Sequence, residues 1–158
     1  MTRRWGVSAV AVAVGLVCGG VRVPAATSER TPSAEPQAQA SFQEGYRHQQ
    51  AKRYQEAIQA YETSLRHDPH QAEALSNLGF CYKSLKRYQK AVGYYKNAIR
   101  LKPDLAEAHE YLGEAYLELG RIELAEREYH TLVKLKSDEA EELKEKIEAK
   151  RAAMDRAN

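Results

Sequence analysis

Three stretches of this chain, each thirty-four residues beyond the last, nearly superimpose: "FQEGYRHQQAKRYQEA" at 42–57, "SNLGFCYKSLKRYQKA" at 76–91 and "EYLGEAYLELGRIELA" at 110–125. Cut into units of that length (38–71, 72–105 and 106–139), the chain repeats residue sizes at fixed places. Position 8 is Gly45, Gly79 and Gly113, position 20 is Ala57, Ala91 and Ala125, and position 24 is Tyr61, Tyr95 and Tyr129. Position 11 is His48, Tyr82 and Tyr116, position 17 is Tyr54, Tyr88 and Ile122, and position 32 is Pro69, Pro103 and then Ser137. A period of this size means stacked supersecondary units rather than one closed core.

Positions 4, 7, 8 and 11 fall on one face of a helix, and positions 20, 24 and 27 on one face of a second. Each unit therefore reads as two antiparallel helices. Glycine inside a helix costs roughly 1 kcal/mol, so its return at position 8 marks a crossing too tight for a Cβ. Alanine at position 20 lets the facing backbone approach, and the tyrosines at 17 and 24 fill the wedge between units. Proline at position 32 ends the second helix, because it cannot continue the hydrogen-bond ladder. Such pairs cannot bury their apolar faces alone and must stack.

The period and the order glycine, aromatic, alanine, aromatic, proline resemble the tetratricopeptide repeat over residues 38–139. The resemblance implies an all-α, right-handed α-solenoid of three helix hairpins plus a C-terminal capping helix. The third unit departs from the pattern, with Leu132 at the small position 27 and Ser137 for proline, as a terminal unit does. Beyond it, 140–158 form the cap and tail. Ala140, Leu143, Ile147 and Met154 are expected on one apolar stripe, with Glu142 and Lys146 as an i,i+4 pair.

Residues 1–25 carry Arg3 and Arg4, an apolar run at 7–19 and small residues around Ala25. That is the pattern of a secretory signal peptide, which makes the mature chain periplasmic or secreted. The alternative is an uncleaved anchor through 5–21, at the lower limit of a membrane span. Residues 26–37 read as a flexible linker, rich in Pro, Ser, Ala and Gln. After cleavage Cys81 is the one thiol left, which excludes an internal disulfide and reads as a small buried side chain.

Chemistry is hard to place. Of nine glycines, four lie in the leader, three at crossings, Gly120 in a turn and Gly93 in a helix, leaving none for a phosphate loop or nucleophile elbow. His67 and His70 bracket a turn with no third ligand. The reading is a non-catalytic protein with no cofactor and no metal. The net charge of +2 comes from three arginines in the leader, so no bulk charge draws nucleic acid.

The family's ligand groove is lined by positions 2, 5, 6, 9, 12 and 13 of each first helix. Carried over, the resemblance implies Gln39, Phe42, Gln43, Tyr46, Gln49 and Gln50 from unit one. Unit two gives Glu73, Ser76, Asn77, Phe80, Lys83 and Ser84, and unit three gives Glu107, Glu110, Tyr111, Glu114, Leu117 and Glu118. Phe42, Tyr46, Phe80 and Tyr111 are not required by the repeat at these places and are candidate peptide anchors. Family members that grip a chaperone's terminal carboxylate use cations and asparagines here. Of those only Asn77 is present, and Glu107 and Tyr111 replace the cations of unit three. Unit two carries +5 and unit three −5, a dipole that can orient a partner or set two copies head to tail. The partner expected is a protein segment, basic or amide-rich, docking near Glu110, Glu114 and Glu118. A membrane enters only through an uncleaved leader.

Overall fold

The computed structural model describes residues 34–156, which form seven helices. They are α1 (Ala34–Gln50), α2 (Tyr54–His67), α3 (Ala72–Ser84), α4 (Tyr88–Leu101), α5 (Ala106–Glu118), α6 (Ile122–Leu135) and α7 (Glu139–Asp155). The leader, its cleavage site and the anchor alternative lie outside the described residues. Among the described residues no helix is long and apolar enough to cross a membrane.

Packing follows the repeat. The closest partners are the two helices of each hairpin, each second helix also rests on the next first helix, and α7 closes the end against α5 and α6. The crossings need glycine for a measurable reason. A Cβ on Gly45 would stand 2.7 Å from the Tyr61 ring, and one on Gly79 would stand 2.7 Å from the Tyr95 ring. Both tyrosines are fully buried, as are Ala57, Ala91 and Ala125. The Tyr61 hydroxyl donates to Gln49 Oε1 at 2.8 Å, giving the buried phenol the partner it requires.

The turn inside each hairpin is built the same way three times. Its residue at position 15 is left-handed: Lys52 at φ 57°, Lys86 at φ 58° and Gly120 at φ 70°. The amide three residues past the end of the first helix then returns to the helix, as in Arg53 to His48, Arg87 to Tyr82 and Arg121 to Tyr116. This satisfies carbonyls that the helix end would leave open. Two lysines thus hold a conformation that costs an L-residue roughly 1–2 kcal/mol.

Three expectations are corrected. First, α1 begins at Ala34, so residues 34–37 of the expected linker are helical. Pro36 is no obstacle, since the first turn needs no amide donor from it. Ser64 Oγ also donates to the buried Ala38 carbonyl at 2.8 Å, tying this early turn to α2. Second, Tyr129 is only partly buried, and Gly113 is covered by Leu143 instead, whose Cδ2 would meet a Cβ at 2.5 Å. Helix α7 packs on α5 more extensively than α3 packs on α1 or α5 on α3, and Leu143 takes the space. Third, Ala140, Leu143 and Ile147 are buried but Met154 is 44% exposed, because α7 runs on past the helices that cover its first turns.

Candidate functional site

The first helices α1, α3 and α5 share one face of the array, and the groove residues expected from the sequence divide there into a sealed set and an open set. Phe42 is half-buried, its ring 5.6 Å from that of Tyr61. Phe80 is half-buried between Tyr54 at 6.3 Å and Tyr111 at 5.5 Å, and Tyr111 leans in turn on Tyr95 at 6.0 Å. These rings are therefore part of the packing, although the repeat pattern does not call for them. Three second-helix tyrosines, Tyr54, Tyr61 and Tyr95, are thus ledges on which a groove aromatic of the same or the next unit rests. Ser76 is buried, with its hydroxyl unpartnered. Tyr46 is different, being 45% exposed, and Asn77 is partly open.

The acidic end is not vacant either. Lys146 of α7 reaches Glu110 at 3.2 Å and Glu142 at 2.7 Å, and also pairs with Glu114. Glu114 is paired a second time with Lys83. The Lys83 ammonium lies 4.3 Å above the Tyr111 ring and 5.5 Å from that of Phe80, within cation–π range. The carboxylates of Glu110, Glu114 and Glu142 approach within 4.8 Å of one another, with the Lys146 ammonium among them. Of the three glutamates expected to receive a basic segment, two are thus neutralised from inside the chain. Glu118 alone is exposed, and it stands beside Tyr88, whose phenol is raised by burial and by that carboxylate.

Titration reflects this arrangement. Burial would raise Glu114, but hydrogen bonds from Lys146 and Lys83 outweigh it and hold the group below the usual carboxylate range. At Glu110 burial wins and the group is raised despite Lys146. Burial, with the carboxylates of Glu107, Glu110 and Glu114 nearby, pushes the Tyr111 phenol up to about 12.

Two clefts flank this sealed centre. One, of about 570 Å³, lies where α7 faces α3 and α5, between Lys83, Tyr88, Glu118 and Lys150. The other, of about 400 Å³, is lined by Phe42, Gln43, Tyr46, Glu73, Asn77 and Glu107. Glu107 is exposed, and Glu73 meets Lys102 at 2.9 Å, both side chains being about half exposed. The residue missed from the sequence is Lys146. Its pairing with Glu142 was legible, but its reach to Glu110 and Glu114 depends on how α7 is rotated on α5.

Comparison with known proteins agrees with this geometry. Residues 72–105 match the family model described as tetratricopeptide repeat, and 45–86 match one described as TPR repeat. No curated protein matches the chain. Solved structures do. The first TPR domain of human RPAP3 is 23% identical, covering 77% of this chain and 98% of that one with a TM-score of 0.70. The first TPR of Spaghetti (RPAP3), bound to the HSP90 peptide SRMEEVD, is 24% identical, with 73% and 94% covered and a TM-score of 0.68. The TPR2B domain of yeast Sti1 in its pHsp70 complex is 16% identical, with 75% and 98% covered and a TM-score of 0.70. These likenesses show the fold: the described residues form an all-α solenoid of helix hairpins of the tetratricopeptide kind.

Proposed function

We propose that this chain is an exported, non-catalytic scaffold that binds a peptide segment of a partner protein along the face formed by α1, α3 and α5. The observation that carries this reading is the cleft between the first helices, where Tyr46 and Glu107 are exposed and Asn77 is partly open on a rigid helical floor. An exposed aromatic beside amides on rigid helices is what anchors an extended segment. The solved neighbours add support, since two TPR domains of RPAP3 hold HSP90 and HSP70 peptides. Those peptides end in EEVD. An acidic tail is a poor match here, because Glu73 and Glu107 line the cleft and no lysine or arginine does.

Export rests on the leader pattern of 1–25, and a role in assembling envelope complexes fits an exported scaffold. The second reading keeps 5–21 as an anchor and makes the chain a membrane-held structural subunit. The N-terminal residue of the mature protein decides between them: a start near Ala26 supports export, and an intact Met1 supports the anchor.

Binding is tested by exposing the full chain to an array of linear peptides, beside an Asn77→Trp variant whose bulk blocks the mid-groove. Peptides held by the parent protein should be released by the variant. An unchanged binding profile would remove the groove as the binding surface.

A further inference from the structure

We infer that the cleft between Tyr46, Glu73, Asn77 and Glu107 receives the lysine or arginine side chain of a basic segment in a partner protein. This rests on the reading that the groove binds a peptide and adds the chemistry of the residue it selects.

The groove itself displays the recognition it is built for. In its C-terminal half an ammonium is held against an aromatic face and a carboxylate at once. Lys83 sits 4.3 Å above Tyr111 and pairs with Glu114, while Lys146 is enclosed by Glu110, Glu114 and Glu142. There the chain supplies its own cations and the acids are spent.

The same ingredients recur in the N-terminal half, where no lysine or arginine lines the cleft and the one cation nearby, Lys102, reaches Glu73 from outside that lining. Tyr46 is 45% exposed, with Phe42 beside it in the wall. Glu107 is exposed and has no ion-pair partner among the described residues. Glu73 has Lys102, but both side chains are about half exposed, at 54% and 46%. Water competes for such a pair, and it exchanges easily. The cleft, about 400 Å³, has no lysine or arginine in its lining, and its volume lies in the range of ordinary ligand sites. Gln43 and Asn77 supply amide donors and acceptors for the main chain of an extended segment.

Charge decides which segment fits. A carboxylate entering this cleft meets Glu73 and Glu107 and is repelled. A guanidinium or ammonium meets two acids and a ring face, and a cation held between such groups gains from both.

The test uses the full chain and three fluorescein-labelled peptides of equal length, in which glycine and serine alternate with arginine, glutamine or glutamate. Anisotropy is read at low and high salt. Tyr46→Ala and Glu107→Gln change exposed side chains, and unaltered circular dichroism establishes that they fold. The arginine peptide should bind best, lose about tenfold or more in each variant, and weaken as salt rises. The inference is overturned if the glutamine or glutamate peptide binds as well, if none of the three binds, or if both variants hold the arginine peptide like the parent. Loss of binding in Asn77→Trp alone would leave the peptide groove standing and remove only the cation pocket. Indifference of all three variants would remove both.

Discussion

Two glycines on neighbouring helices give the repeat architecture its sharpest test. Gly79 in α3 faces Tyr95, and an added Cβ would stand 2.7, 2.8 and 3.0 Å from three atoms of a ring that is fully buried. Gly93 in α4 is exposed, and an added Cβ there meets nothing within 4 Å. Replacing either with alanine gains the same intrinsic helix preference, about 0.5–1 kcal/mol. At Gly93 that gain stands alone, so Gly93→Ala should stabilise by this amount. At Gly79 the ring must move or the helices must separate, and such overpacking costs about 1–3 kcal/mol. The shared preference cancels in the comparison, so the two variants should differ by about 1–3 kcal/mol, with Gly79→Ala the less stable. Urea unfolding followed by circular dichroism measures this as a shift in midpoint at constant slope, which keeps the comparison within one transition. If Gly79→Ala were as stable as Gly93→Ala, closeness at the crossing would not be why glycine recurs there.

Other outcomes follow from single contacts. Lys146→Ala should destabilise by about 1–3 kcal/mol, towards the lower end because the lysine keeps 33% of its surface in water; Lys102→Ala, which removes an exposed pair, should leave the urea midpoint where it is. His109 is buried, with Nε2 at 3.0 Å from the Pro103 carbonyl and Nδ1 at 2.7 Å from Glu128. Burial opposes its charge, but these two acceptors outweigh burial and raise its pKa. Its contribution should therefore be fully present below about pH 6.5 and fade as pH rises through the folded value. Melts of wild type and Glu128→Gln should converge at alkaline pH, and a gap independent of pH would refute this. Burial pushes the Cys81 thiol up to about 12, so in a Cys18→Ser background a thiol reagent should react only at the rate of opening. Rapid labelling of the native protein would contradict the packing.

Much of the fold was legible because the constraint is local and repeated. Gly45, Gly79 and the tyrosines opposite them recur in register, and a period exposes such pairs without any knowledge of rotation. What escaped depends on rotation and on ends. Leu143 covers Gly113 because α7 packs on both α5 and α6, an arrangement that no pattern within 140–155 announces. Lys146 reaches Glu110 and Glu114 for the same reason. Along the first helices the sequence grouped Tyr46, Phe80 and Tyr111 as one set, but it could not separate Tyr46, which stays open, from Phe80 and Tyr111, which lean on Tyr54 and Tyr95. That depends on the height of the neighbouring rings. The start of α1 was missed because Pro, Ala and Gln are shared by linkers and first turns, and the tie from Ser64 to Ala38 spans 26 residues.

The three corners at Lys52, Lys86 and Gly120 are wound alike, yet only the last uses a residue indifferent to handedness. The first two hairpins are thus cocked against their own chirality, each by roughly 1–2 kcal/mol, and stay shut only while the rings behind them hold. Heating should fray those two at the bend before their interiors give way, whereas the third has no such spring to release.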